Sequence, residues 1–305
     1  MVILIIMMLH ETSHAKHSTH LCSSSCGNIH NITFPFRLTT DPLSCGDLRY
    51  NLSCENNITV LYLSLKVYGQ YFEYQRHYVQ AINYNNYTIR LVDPSIHKDD
   101  CSSTPNYTLS EYYFNIGGVH SYEAEIRSGL LYYLKRAYNA ESKFEKTRQL
   151  LNTLIFFNCE SPVLKSSHID ASPCLFNGTF SSSVTSFHSR RKYYSYYYVL
   201  KGDDEFNPRE SEEACWIQQT TVIKKWETDW IKTADDIRNA LIYGFELSWV
   251  QSFSRGRGGL CYIVDENSNR VGCVSSCPPL ADDRVEIYGC GKNDSSYFRN
   301  VKILN

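Results

Sequence analysis

The sequence predicts a mainly β, disulfide-rich fold with small helical elements, arranged as two cysteine-rich β modules in tandem. Twelve cysteines are spread over the 305 residues. Several segments alternate apolar and polar residues with the period of two that is typical of strands. If the chain is divided just after Cys159, each half contains six cysteines. The hydrophobic fraction of 43% is enough for two modest cores.

The even number of cysteines and their clustered spacing favour disulfides over metal binding. Cys22 and Cys26, and again Cys273 and Cys277, are spaced almost as zinc ligands are, but no histidine pair completes a zinc finger. Six cysteines allow fifteen pairings, so the connectivity stays open. The disulfide candidates are Cys22, Cys26, Cys45, Cys54, Cys101, Cys159, Cys174, Cys215, Cys261, Cys273, Cys277 and Cys290.

The first twenty residues are predicted to be a signal peptide and its processing region. An apolar run from Val2 to Leu9 precedes Ser13-His14-Ala15, which could be cleaved. A truncated gene model or a buried N-terminal strand are the alternatives. No later segment has the roughly twenty apolar residues that a membrane-spanning helix needs. We therefore expect a secreted protein.

Seven N-glycosylation acceptors support the secretory route, because each asparagine is followed two residues later by Ser or Thr. A glycan cannot be packed into a core, so occupied sites must lie on the surface. The acceptors are Asn31, Asn51, Asn57, Asn86, Asn106, Asn177 and Asn293.

The N-terminal third is predicted to be mostly β. The segment from Val60 to Tyr68 alternates, so that Leu61, Leu63, Leu65 and Val67 share one face, while Tyr62, Ser64, Lys66 and Tyr68 share the other. Two further strands flank Asn85-Asn86, and asparagine tolerates the positive φ that a tight hairpin requires. This segment is predicted to be a β-hairpin.

The second half is predicted to contain one short helix among strands. Residues 121–151 have apolar positions at helical intervals and predict a helix or a mobile insertion. A Tyr-rich strand follows in residues 192–200. Thr233 resembles a helix cap, followed by acidic residues in the first turn and by Ile237, Ala240, Leu241 and Gly244 along one face.

Two sets of motifs resemble one family of plant receptors. CSSSCGNIHNITFPFR (22–37), CGDLRYNLSC (45–54) and YVQAINYNNYTIRLVD (78–93) resemble the galacturonan-binding domain of wall-associated receptor kinases. LIFFNC (154–159), YGFELSW (243–249) and CYIVDENSNRVGCVSSC (261–277) resemble the C-terminal domain associated with it. The ectodomain of leaf-rust-resistance receptor-like kinases is the most similar subfamily.

The resemblance implies five regions along the chain. They are a signal and processing region (1–20), a galacturonan-binding-like domain (21–110), an insertion or connecting segment that includes a helix as one option (111–153), a C-terminal associated domain (154–291) and a tail (292–305).

The resemblance also implies an extracellular chain in the apoplast and cell wall. Family members are usually anchored in the plasma membrane and carry a cytoplasmic kinase. This sequence contains no Gly-rich nucleotide loop, HRD or DFG motif. It is expected to be either an ectodomain-only member or a fragment of a longer protein. The charged segment 117–150 is either a genuine insertion or retained intron sequence.

The expected function is binding of cell-wall pectin or oligogalacturonide, without catalysis, cofactor or metal. Uronate carboxylates call for arginine or lysine, and the candidate ligand-binding residues are Arg37, Arg190, Arg191 and Lys192. Exposed aromatic rings could pack against sugar faces. Because Lys plus Arg (30) nearly equals Asp plus Glu (32), nucleic acid is not an expected partner. The alternative is a protein-interaction or pathogen-recognition module acting with a receptor-like kinase.

Overall fold

The computed structural model describes residues 22–67, 71–100, 102–110, 114, 150–159, 168–171, 196–202, 215–225, 231–253, 260–265, 270–274 and 302–304. The predicted signal region (1–20) and nearly all of the predicted insertion lie outside these residues, as do Arg190, Arg191 and Lys192.

Strands dominate the described part of the chain. The first half contains β1 (Ser24–Cys26), β2 (Ile29–Ile32), β3 (Arg37–Leu38), β4 (Asn51–Glu55), β5 (Ile58–Val67), β6 (Tyr71–Asn83) and β7 (Thr88–Val92). The second half contains β8 (Leu151–Cys159), β9 (His168–Asp170), β10 (Tyr196–Gly202), β11 (Cys215–Lys224), helix α1 (Ala234–Tyr243), β12 (Phe245–Ser248), β13 (Leu260–Asp265), β14 (Arg270–Val274) and β15 (Lys302–Leu304). Short 3₁₀ turns occupy Leu43–Cys45, Leu48–Tyr50 and Val250–Phe253.

A six-stranded sheet forms the body of the first half, in the order β12-β7-β6-β5-β4-β3. Its strands pair antiparallel except for β3 and β4, which are parallel. The edge strand β12 comes from the second half and pairs Phe245 with Leu91 and Leu247 with Ile89. The two predicted modules therefore share one sheet.

The main core lies on the inner face of this sheet and also draws on both halves. Trp249, which directly follows β12, packs its ring 5.6 Å from Phe36 and 5.1 Å from Tyr87, centroid to centroid. Leu151 of β8 and Val222 of β11 belong to the same cluster. The boundary predicted between residues 153 and 154 therefore falls inside a strand that already contributes to the first core.

A second sheet, in the order β11-β8-β10-β9, carries helix α1 on one face. Buried residues of the helix, of the sheet and of the segments next to them form a separate core. These residues are Leu154, Phe156, Ala171, Val199, Ile223, Ile231, Ile237, Ala240 and Leu241. A third sheet, β13-β14-β15, includes residues 302–304, so the segment predicted as a tail contributes a strand.

Helix α1 begins as the sequence predicts. The Thr233 side chain accepts a hydrogen bond from the Asp236 N–H, and the Asp236 carboxylate accepts one from the Thr233 N–H, which completes a capping box. Ile237, Ala240 and Leu241 are buried against the second sheet. The prediction was wrong for Gly244, which ends the helix with a φ of 82° instead of lying on its face.

The two asparagine-rich hairpins differ in how they turn. The hairpin between β6 and β7 is confirmed, but the positive φ falls on Tyr87 (56°) and not on Asn85 or Asn86. The N–H groups of these asparagines instead donate to the side-chain oxygen of Asn83. The turn between β4 and β5 uses positive φ at Asn56 and Asn57 (49° and 65°), and the sequence analysis missed it.

Three disulfides join described residues, and the prediction of a disulfide-rich, mainly β fold is confirmed. They are Cys22–Cys45, Cys26–Cys54 and Cys159–Cys215. Cys261 is also disulfide-bonded. Each bridge closes a loop of 23 to 56 residues, which in the chain-entropy model stabilises the fold by about 3 to 4 kcal/mol. The side chains of the other five candidates lie outside the described part.

Candidate functional site

The outer face of β5 and β6 carries a group of aromatic and charged side chains. The alternation of the two strands buries Leu61, Leu63 and His77 on the inner face and turns Tyr62, Tyr74, Arg76 and Tyr78 outward. Tyr62 lies directly opposite Arg76 in the strand register. We call Glu55, Tyr62, Tyr74, Arg76 and Tyr78 the aromatic platform.

Two tyrosines of the platform are open to solvent. Tyr74 is 68% exposed and Tyr62 is 44% exposed. The two exposed rings lie on the same face of one sheet, and this makes the face a candidate binding surface. The predicted outward orientation of Tyr62 is confirmed.

A carboxylate from the neighbouring strand holds the platform in place. One oxygen of Glu55 accepts hydrogen bonds from Arg76 Nε and Nη2 at 3.0 and 2.8 Å, and the other accepts one from the Tyr62 hydroxyl at 2.8 Å. The Arg76 guanidinium also lies over the Tyr78 ring, 4.8 Å from its centroid. These contacts hold the Tyr62 and Tyr78 rings in place through Glu55 and Arg76.

The electrostatics of the platform follow from these contacts. Hydrogen bonds from Arg76 and then from Tyr62 lower the pKa of Glu55, while the Glu55 carboxylate raises the pKa of the Tyr62 hydroxyl. Side-chain contacts with Tyr78 and then Glu55 raise the pKa of Arg76. At neutral pH the Glu55 carboxylate and the Arg76 guanidinium therefore form a pair whose charges balance.

Beyond the end of β7, a tyrosine from the following loop forms a hydrogen bond with the backbone of β6. β7 stops at Val92, and the Arg76 N–H donates to the Tyr107 hydroxyl at 3.3 Å. The Asp93 carboxylate positions this loop by accepting hydrogen bonds from the N–H groups of Ser95, Asn106 and Tyr107. The loop after β7 therefore supplies a hydrogen-bond acceptor to the backbone of β6 at Arg76.

A buried histidine lies directly beneath the platform. His77 is enclosed between Tyr107 and Phe245, with ring centroids 5.5 Å away in both cases. Its Nδ1 lies 3.2 Å from the Gln75 carbonyl oxygen, and its Nε2 is buried without a hydrogen-bond partner. Burial lowers the pKa of His77 to about 4, although the Asp93 carboxylate opposes the shift.

This histidine predicts a loss of stability in acid. The unfolded chain binds a proton at His77 near the ordinary pKa of 6.5, whereas the folded chain does so only near 4. The contribution of neutral His77 to the free energy of unfolding is therefore fully present above pH 6.5. It is lost as the pH falls to 4, and the loss amounts to about 3 kcal/mol. Urea unfolding at a series of pH values should show that His77→Phe removes this part of the slope.

The exposed His30 provides the matched control, and His30→Phe should leave the pH slope of the wild type intact. An unchanged slope in His77→Phe would show that His77 is not the residue responsible.

The structure places Arg37 in the interior. It is 3% exposed. Its guanidinium donates to the side-chain oxygen of Asn51 at 2.7 Å and to the backbone oxygens of Pro42, Thr39 and Asp41. Such an arrangement favours a structural role over the ligand contact that the sequence predicted.

The described glycosylation acceptors are mostly on the surface. Asn31, Asn57, Asn86 and Asn106 are exposed. Asn51 is half-buried because its side-chain oxygen accepts the hydrogen bond from Arg37. Asn177 and Asn293 lie outside the described residues, and glycan occupancy stays a prediction for all seven.

Sequence analysis missed Glu55, Tyr74, Arg76 and Tyr78. The last three alternate in YFEYQRHYVQ (71–80), and this period of two would have placed them on one face. The contact of Arg76 with Glu55 could not be predicted from the sequence, because it depends on the register of two strand pairs.

No group of three or more His, Cys, Asp or Glu side chains in the described residues could hold a metal ion. No helix in that part of the chain has the length and apolar character needed to cross a membrane.

One of the comparisons with known proteins gave a match, and it covers residues 22–93. The comparison with curated proteins and the comparison with solved structures gave no match. Residues 22–93 match the family model described as wall-associated receptor kinase galacturonan-binding. The matched segment includes β1 to β7 and every residue of the aromatic platform, but it does not include the edge strand β12. The part of the chain that carries the platform is therefore similar to the galacturonan-binding domain of wall-associated receptor kinases.

Proposed function

We propose that this chain is an extracellular binding module for a pectin-like polysaccharide, and that the aromatic platform is its contact surface. The observation that carries the proposal is the pair of exposed rings, Tyr62 and Tyr74, on one sheet face within the matched segment. The proposed activity is binding alone, without a catalytic step, a cofactor or a metal.

Sugar rings present faces of C–H groups, and these faces can pack against the flat apolar surface of a tyrosine ring. A rigid ring loses little conformational entropy on binding, because a tyrosine has only two side-chain torsions. The hydrogen bonds that Glu55 accepts from Tyr62 and Arg76 reduce this cost further for Tyr62, since they hold its ring in place in advance. An extended sheet face also suits an extended polymer.

The wider proposal follows the resemblance of the whole chain. We propose that residues 154–291 form the C-terminal domain associated with this ectodomain type, and that the leaf-rust-resistance subfamily is the relevant one. The proposed location is the apoplast and cell wall, with a receptor-like kinase as partner. In this proposal the two domains are in direct contact, because β12 of the second half pairs with β7 of the first.

The platform predicts a specific loss of binding. Tyr74→Ala should weaken binding to a mixed-ester oligogalacturonide about tenfold, since one stacked ring contributes roughly 1 kcal/mol or slightly more. Calorimetric titration of the secreted, oxidised chain would measure the change.

Trp216 offers a matched control because it is also an exposed aromatic residue, at 48%, but lies on β11 in the second sheet. Trp216→Ala should leave sugar binding unchanged. Equal affinities of wild type and Tyr74→Ala would remove the platform from the proposal.

A second candidate function is protein binding at the edge strand β11. Trp216 and Ile217 (45% exposed) are adjacent on this strand, and edge strands present backbone groups that a partner chain can pair with. The same titration separates the two functions, because a folded chain that binds no oligogalacturonide would favour the protein-binding function.

A further inference from the structure

We infer that the contact between the first sheet and the loop after β7 is sensitive to acid, and that it opens when His77 takes up a proton. The described residues of this loop are 94–100 and 102–109. We call it the bridging loop, because it contacts β6 of the first half and β11 of the second. The inference goes beyond the proposed function, since it concerns how the strand of the platform is held and not what the platform binds.

The first step is that the closed structure cannot accommodate a charged His77. The residue is fully buried, and its ring lies between Tyr107 of the bridging loop and Phe245 of β12, with centroid distances of 5.5 Å to each. Its Nδ1 faces the Gln75 carbonyl oxygen, while its Nε2 has no hydrogen-bond partner among the described residues. A proton on Nε2 would therefore bury an unpaired N–H together with a positive charge, which is costly.

The second step is that the acid beside His77 is already engaged. The Asp93 carboxylate favours the charged form of His77, but burial outweighs this effect. Asp93 Oδ1 accepts hydrogen bonds from the N–H and the hydroxyl of Ser95. Its Oδ2 accepts them from the N–H groups of Asn106 and Tyr107. Asp93 can therefore pair with a charged His77 only by giving up bonds that hold the bridging loop.

The other neighbours of His77 offer no charge that could balance the proton. Arg76 and Glu246 are next to this site in sequence, but they lie on the opposite face of the sheet, where Arg76 contacts Glu55 and Glu246 contacts Lys224. The remaining side chains around the ring are apolar, amide or phenol groups. They are Leu61, Gln75, Tyr107 and Phe245.

The third step is that the bridging loop is held to the first sheet less firmly than β12 is. Strand β12 forms four register pairs with β7 and places Phe245 and Leu247 in the main core. The bridging loop reaches β6 through a long hydrogen bond of 3.3 Å, from the Arg76 N–H to the Tyr107 hydroxyl. Of the two elements that enclose His77, the loop is therefore the one expected to move.

The bridging loop is also attached to the second half of the chain. The Leu109 N–H donates to the Thr220 carbonyl oxygen at 3.0 Å, and the Gln219 side chain donates to the Pro105 carbonyl oxygen. The loop is thus expected to leave β6 while it stays attached to β11. This opening reaches the aromatic platform, because the N–H group that loses its partner belongs to Arg76.

The size and sign of the effect follow from the two forms of His77. In the open form its pKa is near the ordinary value of 6.5, whereas in the closed form it is about 4. The open form therefore binds more protons as the pH falls below 6.5. Relative to about pH 8, the ratio of open to closed molecules should rise about thirtyfold at about pH 5.

Hydrogen exchange of the oxidised full chain at these two pH values measures the opening at single amides. Results are compared as protection factors, which correct for the effect of pH on the intrinsic exchange rate. Protection of the Arg76 and Tyr107 amides should fall about thirtyfold at the lower pH. Protection of the Leu109 amide should change less than about threefold, since its bond to Thr220 is retained.

His77→Phe tests the residue directly. Phenylalanine keeps a ring between Tyr107 and Phe245 but cannot take up a proton, so Arg76 protection should differ less than about threefold between the two pH values. His97→Phe is the matched control, because His97 is an exposed histidine of the bridging loop itself. This variant should keep the thirtyfold fall. If His77→Phe does not fold, the comparison of Arg76 with Leu109 in the wild type still tests the inference.

Three results would overturn the inference. The first is Arg76 protection in the wild type that changes less than about threefold. The second is an equal fall at Arg76 and Leu109, which would show that the loop does not separate from the first sheet alone. The third is a thirtyfold fall that persists in a folded His77→Phe variant, which would exclude His77 as the group that takes up the proton. Because no sugar is present, each of these results leaves the polysaccharide proposal intact.

Discussion

Replacing Gly244 with alanine is expected to lower the midpoint of thermal unfolding by about 6 to 12 °C, which corresponds to about 3 kcal/mol for a folding unit of this size. Gly244 joins helix α1 to strand β12 with a φ of 82°. L-residues rarely adopt this conformation. An alanine Cβ would also lie 1.9 Å from the Leu91 carbonyl oxygen and 2.8 Å from a methyl carbon of Val92.

The expected loss is large because Gly244 lies where the two halves of the chain meet. The clash is with backbone of β7, which cannot move without disturbing its pairing with β12. The Gly244 N–H also closes helix α1 by donating to the Ala240 carbonyl oxygen at 2.9 Å. Alanine would therefore strain the end of the helix and the edge of the first sheet together.

Calorimetry of the oxidised wild type and Gly244→Ala would measure this shift. Asn239→Ala is the control, because Asn239 is exposed on the same helix and its substitution should change the midpoint by less than about 2 °C. If Gly244→Ala unfolds at the same midpoint temperature as the wild type, β12 can be repositioned at little cost in stability.

Arg37→Ala is expected to lower the free energy of unfolding by about 3 to 5 kcal/mol, because it removes a buried charged side chain together with its hydrogen bonds to four oxygen atoms. The guanidinium donates to backbone oxygens of Pro42, Thr39 and Asp41 and to the Asn51 side chain. Alanine can form none of these side-chain hydrogen bonds, and the smaller side chain would also leave a cavity. Urea unfolding of the oxidised chain measures the loss.

Arg49→Ala is a sharp control, since Arg49 is an exposed arginine of the same segment whose partner is Asp47. An exposed ion pair contributes about 0 to 1 kcal/mol, so its removal should change stability little. If Arg37→Ala instead keeps wild-type stability but no longer binds oligogalacturonide, Arg37 is a ligand residue, as its position in the motif first indicated.

Local patterns in the sequence predicted the local structure well. The alternation around Leu61 and Tyr62 gives the two faces of β5, and the capping box at Thr233 starts helix α1. Both patterns depend on residues two to four positions apart, whose relative placement follows from strand or helix geometry alone. The prediction failed at Asn85 and Asn86, whose N–H groups donate to the side-chain oxygen of Asn83 while the positive φ falls on Tyr87.

The site was predicted less completely because its parts meet through strand register. Arg76 appeared as an isolated basic residue in the sequence, and only its place opposite Tyr62 and beside Glu55 makes it part of a platform. Arg37 shows the reverse case. Its position in the motif led to the prediction that it contacts the ligand. In the structure it is buried, and its guanidinium donates hydrogen bonds to oxygen atoms of the protein.

The sequence by itself determined that this chain is a disulfide-rich, mainly β protein and that residues 22–93 resemble a galacturonan-binding domain, since cysteine spacing, alternation and motifs are properties of neighbouring residues. The tertiary structure decided which cysteines pair, that β12 completes the first sheet, and that Glu55 neutralises Arg76. These features join residues that are distant in the chain, as with Arg90 and Tyr243, which lie 153 positions apart. Because such contacts depend on how complete sheets pack, no local pattern encodes them.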